Sequence, residues 1–199
     1  MTTYARIDVK LILDWQFIIF VIVYNELFFD YGLEKCKLIV AKCALASQLS
    51  LSNPSLTYGE IDFNSYALLL EMVDIQSGQT FADLGHGVGK SLIATALVAG
   101  SVLKEIHGVE IIPELYIISK AVNQAYSSLV SSSSTSPHWL LSKTHSHCKV
   151  SVSLGDFLTD SRADGEFYDW TTAGKHQLNT LTLNIPTYLL AYILCTIIV

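Results

Sequence analysis

The feature that most constrains this chain is a glycine-rich turn that follows a short apolar segment. The segment reads Phe81-Ala-Asp-Leu-Gly-His-Gly-Val-Gly-Lys90 and carries glycine at every second position from 85 to 89. Glycine lacks the Cβ atom that keeps a ligand away from the backbone, so this spacing predicts close contact between a ligand and the main chain. An apolar strand, such a turn and a helix start predict an open α/β sheet, whose ligands bind at the carboxyl ends of the strands.

Two phosphate-containing cofactors fit this turn only in part. A triphosphate-binding loop needs glycine, four residues and then Gly-Lys-Ser/Thr. The chain has Gly89-Lys90-Ser91, but Leu84 stands where the first glycine belongs. A dinucleotide-binding turn needs Gly-x-Gly-x-x-Gly, and Lys90 stands where its third glycine belongs. A nucleotide-binding protein of the phosphate-loop kind is therefore the lesser alternative.

A third cofactor, S-adenosylmethionine, fits the turn better. It has no phosphate, and it requires close backbone approach together with a carboxylate for its ammonium group. The glycines allow the approach, and Asp83 at the end of the apolar strand supplies a carboxylate. A turn without any ligand is disfavoured, because each glycine costs about 0.5–1 kcal/mol relative to alanine.

Two further strand ends carry acids that suit the same cofactor. The run Ile106–Ile111 contains Glu110, 21 residues past Gly89, which is the placement of an acid that binds ribose hydroxyls. Because Glu110 ends a strand, replacing it by alanine is expected to weaken cofactor binding and leave the fold largely intact. A third run over 149–154 leads into Asp156 and Phe157, which suit an adenine amino group and ring face. Neighbouring parallel strands bring these ends to one edge of a sheet.

Apolar periodicity predicts helices between these strands. One helix is expected over 62–74 and a second over 91–99. The order strand, helix, strand, helix, strand predicts a parallel sheet with right-handed crossovers. The second crossover helix carries apolar residues at helical spacing: Leu115, Ile118, Val122, Ala125 and Leu129.

The ordered series of motifs resembles a known family over roughly residues 53–170. It begins with Pro54-Ser-Leu-Thr-Tyr-Gly-Glu-Ile61 and continues through the glycine turn, Gly108-Val-Glu110 and Gly155-Asp-Phe157. In this order the motifs resemble the disruptor-of-telomeric-silencing family of histone-lysine methyltransferases, which lack a SET domain. The Tyr58-Gly59-Glu60 element ahead of the glycine turn separates that family from other methyltransferases.

The resemblance implies a fold, a cofactor and an acceptor. The fold is an α/β Rossmann-like parallel sheet of the seven-strand methyltransferase type, and the cofactor is S-adenosylmethionine. The acceptor is a lysine of a histone, alone or in a nucleosome, or of another protein. The family has a small residue where this chain has His86, which either crowds the site or points outward. The implied cofactor-binding residues, with no metal and no assigned catalytic residue, are Tyr58, Gly59, Glu60, Ile61, Phe81, Asp83, Leu84, Gly85, His86, Gly87, Val88, Gly89, Lys90, Glu110, Asp156 and Phe157.

The resemblance ends before the acceptor side of the domain. The family continues into an apolar fourth strand with an asparagine motif that helps form the methyl-transfer channel, and residues 160–179 contain no such strand. The sheet is therefore expected to hold the first three strands only, with an unpaired edge on the first. The codons of Gly174-Lys175-His176 can contain a splice-donor consensus, which favours a retained intron or a gene-model artefact from about Gly174 onward.

Three segments follow from this pattern: an apolar helical segment over 1–52, a partial cofactor-binding domain over 53–173 and an apolar tail over 174–199. The run Leu11–Phe29 holds acids and is expected to be a buried helix, because acids are costly inside a bilayer. The run over 181–199 has no charged side chain, and the sequence leaves a membrane contact there open.

Charge and cysteine usage narrow the remaining classes. The formal net charge of −6 gives no direct signal for nucleic-acid binding. Four cysteines without paired spacing favour a reducing compartment, either the nucleus or the cytoplasm. His145, His147 and Cys148 lack a second cluster, so a polar loop is favoured over a metal site.

Two functions stay open at this point. The first is S-adenosylmethionine-dependent lysine N-methyl transfer to a histone. The second is a cofactor-binding fragment or pseudoenzyme without catalysis, because the acceptor side is missing from the motif series. A three-stranded half-sheet predicts weak cofactor binding, poor solubility and no measurable methyl transfer from residues 1–199.

Overall fold

The computed structural model describes residues 15–43, 58–73, 75–131 and 148–156 and the strand over 196–198. These residues form five helices and four strands in an α/β arrangement. The elements in chain order are α1 (Trp15–Phe28), α2 (Leu33–Lys42), α3 (Phe63–Met72), β1 (Thr80–Leu84), α4 (Lys90–Ala99), β2 (Glu105–Glu110), α5 (Pro113–Ser131), β3 (Lys149–Leu154) and β4 (Thr196–Ile198).

The sheet has the strand order β3-β2-β1-β4. β1 pairs with β2 in parallel, with Thr80 opposite Glu105, and β2 pairs with β3 in parallel, with Glu105 opposite Lys149. The two crossovers run in one direction, so right-handed connections place α4 and α5 on the same face of the sheet. The predicted three-stranded parallel sheet is confirmed, and the carboxyl ends of its strands meet at one edge.

The free edge of β1 is covered, contrary to the expectation from the sequence. β4 pairs with β1 in antiparallel orientation, with Ile198 opposite Phe81 and Thr196 opposite Asp83. The expected three strands are thus joined by a short fourth strand from the tail. Backbone groups on a strand edge favour pairing, and the tail supplies partners for three residues of β1. The expectations for the rest of 157–195 lie outside the described residues.

The core lies between the sheet and the helices on its covered face. Phe81 in β1 and Ile106 in β2 are fully buried and sit side by side in the parallel register. α4 combines bulky side chains, such as Leu92 and Leu97, with three alanines. Small residues allow this helix to approach the sheet closely, and seven of its ten residues are buried.

α1 packs against the rest of the domain through aromatic side chains. The ring of Tyr24 lies 4.8 Å from that of Phe63, at the start of α3, and 4.9 Å from that of Phe28. Phe20, Val23, Tyr24 and Phe28 are all buried. Within the described residues, the predicted buried helix is therefore buried along one face only, and Ile18 and Ile22 are exposed.

One stretch of the described chain, Gln16–Lys42, is long and apolar enough to cross a membrane by length and composition alone. The structure interrupts this stretch between α1 and α2, where Tyr31 and Gly32 lie outside both helices. The buried face of α1 belongs to the domain core.

An aspartate defines the start of α3. Asp62 has an extended backbone, and its Oδ1 accepts a hydrogen bond from the backbone N–H of Ser65 at 3.1 Å. This is the N-cap geometry, which satisfies one of the free N–H groups of the first helical turn. The helix ends at Met72, so the helix predicted over 62–74 is found slightly shorter at both ends.

The cap makes a prediction for stability. Asp62→Ala removes the acceptor and should lower the free energy of unfolding by about 1 kcal/mol, the usual cost of losing an N-cap. Asp62→Asn keeps an acceptor oxygen and should cost only a small fraction of that. Urea unfolding followed by circular dichroism measures both variants, and equal losses for alanine and asparagine would contradict the capping role.

Candidate functional site

The glycine turn between β1 and α4 has a backbone that only glycine adopts easily. Gly85, Gly87 and Gly89 have φ values of 94°, 60° and 88°. The turn is anchored to β2, because the N–H of Gly85 donates to the carbonyl of Val109 at 2.7 Å. A Cβ atom at Gly85 would meet nothing within 4 Å, so the turn is open at this position. The predicted strand, turn and helix start are found as expected.

Glu110 fastens the turn to the end of β2. Its carboxylate accepts from the N–H of Gly87 at 2.7 Å and from the N–H of Ile112 at 2.8 Å. The side chain is only 4% exposed. Burial raises the pKa of Glu110, while the hydrogen bonds from the backbone oppose that rise.

This geometry changes one expectation from the sequence. Glu110→Ala was expected to leave the fold largely intact. The substitution would, however, leave two backbone N–H groups without the acceptor that the carboxylate now provides. A buried donor left without a partner costs about 1–3 kcal/mol. Glu110 stands at the strand end where the sequence places it, and its two backbone hydrogen bonds now predict that Glu110→Ala destabilises the fold as well.

Asp83 is buried at the end of β1 and contacts α4. Its carboxylate is 7% exposed and accepts a hydrogen bond from the hydroxyl of Ser91 in α4. Burial, with a smaller contribution from the charge of Glu110, raises the pKa of Asp83 to about 6. The acid that the sequence proposes for an ammonium group thus already accepts one hydrogen bond from α4.

Tyr58 lies directly on the turn. A Cβ atom at Gly87 would stand 2.8 Å from Cε2 of Tyr58, so no larger residue fits between them. The Tyr58 hydroxyl donates to Oε1 of Glu60 at 2.8 Å. The segment ahead of α3 is therefore packed against the glycine turn, and the structure brings together these two distant sequence motifs.

An ion pair completes this contact. Nζ of Lys90 lies 2.7 Å from Oε2 of Glu60, and the two side chains are 16% and 13% exposed. The same ammonium lies 5.7 Å from the centroid of the Phe28 ring. Lys90 thus joins the start of α4 to the segment over 58–62 and to α1.

A cleft of about 520 Å³ opens beside this ion pair. It lies between α1 and the segment that leads into α3, and both charges of the pair reach it. Its described lining comprises Val21, Tyr24, Asn25, Leu33, Glu60, Ile61, Asp62, Phe63, Asn64 and Lys90.

His86 points into the sheet, which differs from both alternatives suggested by the sequence. Its ring lies over Gly108 of β2 and beside Leu92, and a Cβ atom at Gly108 would collide with both side chains. Neither ring nitrogen has a hydrogen-bond partner among the described residues. Burial lowers the pKa of His86 to about 4, so the ring is neutral at physiological pH.

The other implied site residues divide into four groups. Phe81, Leu84 and Val88 are buried behind the turn. Asp156 follows β3, whose end lies beside Glu110 because the N–H of Gly155 donates to the carbonyl of Glu110 at 3.0 Å. Phe157 lies outside the described residues, whereas Gly59 and Ile61 belong to the segment that carries Tyr58 and Glu60.

The sequence interpretation missed the contribution of α1. Tyr24 and Asn25 line the cleft, and Phe28 lies under the Lys90 ammonium. An available signal was the spacing of Tyr24 and Phe28, one helical turn apart within the apolar run. Among the described residues, no group of three or more His, Cys, Asp or Glu side chains could hold a metal ion.

The family model for the histone methylation protein DOT1 matches residues 37–163, which is more than half of the chain. The match contains α3, β1, α4, β2, α5 and β3, together with the glycine turn. No protein with a curated description matches the chain.

The burial of Asp83 predicts a pH-dependent stability difference. Its pKa is about 6 in the folded state against 3.8 when unfolded, so this carboxylate costs stability as the pH rises from about 4 to about 6. Asp83→Asn removes the titration. Between pH 4 and pH 7 the free energy of unfolding of the variant should therefore rise relative to that of the wild type by up to about 3 kcal/mol, since one pKa unit corresponds to about 1.4 kcal/mol.

Urea unfolding of both proteins across that pH range measures the difference. The two proteins must be compared with each other at each pH, because His86 is present in both and has the opposite effect. Its lowered pKa reduces the free energy of unfolding as the pH falls from 6.5 toward 4. Glu34→Gln is a suitable control, because that acid is exposed on α2. A difference between Asp83→Asn and wild type that is constant with pH would contradict the assignment.

Proposed function

The chain belongs to the DOT1 histone methylation family, and we propose that it binds S-adenosylmethionine at the glycine turn and transfers its methyl group to a histone lysine. The family shows the general activity, which is histone methylation. The cofactor, the lysine acceptor and the residues that bind each are our proposal. A histone acceptor also favours the nucleus as the site of action.

The observation that supports the proposal best is that two side chains fix the backbone of the glycine turn. Glu110 accepts from the N–H of Gly87, and the Tyr58 ring packs against Gly87. The turn is thus fixed before any ligand arrives, while the position of Gly85 stays open. A backbone that is preorganised and accessible lowers the cost of ordering a binding site.

The residues present fit a nucleoside that carries an amino-acid group. Free N–H groups at the start of α4 favour an acidic ligand group. Each carboxylate oxygen of Glu110 keeps a second lone pair, which suits a ribose hydroxyl. Asp156 stands at the end of β3, next to β2, and with Phe157 is proposed to receive the adenine. When bound, the cofactor supplies a methyl group on a positively charged sulfur.

The transfer step places simple demands on the protein. The lysine must arrive as a neutral amine, and its nitrogen must lie in line with the carbon–sulfur bond that breaks. In favourable cases, orientation of this kind lowers a reaction barrier by about 7–11 kcal/mol. Exclusion of water from the acceptor path protects the neutral amine.

A second candidate function is cofactor binding without transfer. It is favoured by β4, which occupies the edge of β1 in antiparallel orientation. The resemblance to the family implies a further parallel strand on this side, with an asparagine motif at the acceptor channel. A chain that covers this edge differently retains the cofactor half of the site and loses the acceptor half.

Ligand choice tests the first part of the proposal. Isothermal titration calorimetry should show binding of S-adenosylhomocysteine in preference to ATP and NAD, because the turn lacks a phosphate cradle. Gly87→Ala should abolish that binding, because its Cβ atom has no room beside Tyr58 and its φ disfavours alanine. Gly32→Ala is the control, because its Cβ atom would meet nothing within 4 Å. Tight ATP binding with no response to S-adenosylhomocysteine would refute the cofactor assignment.

Transfer of labelled methyl groups separates the two candidate functions. With S-adenosylmethionine labelled at the methyl carbon, an active enzyme should label a lysine of histones or nucleosomes. A wild-type protein that binds S-adenosylhomocysteine but labels no protein would establish the binding function and exclude the transferase. The Gly87→Ala variant should be inactive in either case.

A further inference from the structure

A group of three polar side chains lies on the sheet away from the glycine turn. Glu105 and His107 belong to β2, and Ser151 stands opposite His107 in β3. Successive side chains of a strand point to opposite faces of the sheet. Gly108, the neighbour of His107, faces Leu92 of α4, so the group occupies the face opposite that helix. It is therefore separate from the candidate site at the strand ends.

Hydrogen bonds link the three side chains in series. Nε2 of His107 lies 3.0 Å from Oε1 of Glu105, and Nδ1 of His107 lies within hydrogen-bond distance of the Ser151 hydroxyl. A carboxylate next to Nε2 favours the imidazole tautomer that carries its proton there. The lone pair of Nδ1 is then directed at the hydroxyl and can accept its proton.

This order of groups is the one that makes a hydroxyl a nucleophile. A serine hydroxyl reacts poorly by itself, whereas an imidazole that is oriented by a carboxylate removes its proton during the attack. A hydroxyl with a purely structural role would be satisfied by the backbone. The Ser151 hydroxyl has such an acceptor in the carbonyl of Ile106 at 3.4 Å, but the imidazole of His107 is closer.

The group can be reached from solvent. The side chains of His107 and Glu105 are 24% and 21% exposed, and Ser151 is half-buried. Ser119 on α5 is different, because it is 2% exposed and donates to the carbonyl of Tyr116. A small molecule therefore has access to the Ser151 hydroxyl, while partial burial strengthens the hydrogen bonds that orient it.

We propose that Ser151 accepts an acyl group from small activated esters and thioesters, with His107 as the general base and Glu105 orienting the base. Oγ of Ser151 forms a bond to the carbonyl carbon of the donor, and its proton passes to Nδ1 of His107. The bond between that carbon and the leaving oxygen or sulfur then breaks, and the leaving group takes the proton from His107. Water removes the acyl group by the same two steps, which gives a carboxylic acid and free Ser151.

Acetylation of the full chain by p-nitrophenyl acetate tests the proposal. After a short incubation and an acid quench, peptide mapping by mass spectrometry should find an acetyl group on Ser151. Ser151→Ala should remove this label. His107→Gln removes the base and should slow the labelling by about 100-fold or more, the usual contribution of a general base. Glu105→Gln should cause a smaller loss, because the imidazole remains.

Ser153 is the matched control, because it lies on the same strand and on the same face as Ser151. Its hydroxyl donates to the carbonyl of Gly108 at 3.3 Å, and the residue opposite it in β2 is Val109 rather than a histidine. Ser153 should stay unlabelled in the wild-type protein, and Ser153→Ala should leave the labelling of Ser151 unchanged. Circular dichroism shows whether each variant is folded.

The comparison of Ser151 with Ser153 in the wild-type protein needs no substitution, so it remains decisive if a variant fails to fold. Equal labelling of the two serines, or no label on Ser151, would overturn the proposal. Labelling of Ser151 at the wild-type rate in a folded His107→Gln protein would overturn it as well, because the hydroxyl would then react without the imidazole. None of these results depends on cofactor binding or methyl transfer, so the proposed function is tested separately.

Discussion

The hydrogen bonds from Gly87 and Ile112 to the Glu110 carboxylate are the constraint on which the site depends. They join the glycine turn to the end of β2 and fix the backbone of both. Burying this carboxylate is costly, and two backbone donors offset that cost. The turn can then hold three glycines in left-handed conformations without losing its shape. A site built in this way is rigid before its ligand arrives.

A second set of contacts joins the turn to the segment ahead of α3. Tyr58 rests on Gly87, and the pair of Glu60 and Lys90 links the preceding segment to α4. Through Phe28 the same lysine reaches α1, whose aromatic side chains pack on the start of α3. The helical N-terminal part of the described chain is therefore structurally connected to the turn. Changes in α1 are expected to reach the site through Lys90.

Local patterns were sufficient to predict the sheet and the turn. Glycine spacing and apolar runs depend on neighbouring residues, which is why β1, β2 and β3 and the helices between them lie close to their predicted positions. Contacts between distant segments were not accessible in the same way. The ion pair joins Glu60 to Lys90, and the pairing of β4 with β1 depends on a tail that no local signal connects to that edge. The inward orientation of Asp83 and His86 follows from how α4 and β2 pack, which spacing alone does not determine.

Hydrogen–deuterium exchange tests the central claim most directly, because the claim concerns backbone N–H groups held by Glu110. The account predicts slow exchange at Gly87 and Ile112 in the free protein. It predicts further protection of the turn over 85–90 when S-adenosylhomocysteine is added, with no such protection from ATP. Rapid exchange at both N–H groups in the free protein, or a turn that responds to ATP and not to S-adenosylhomocysteine, would contradict it.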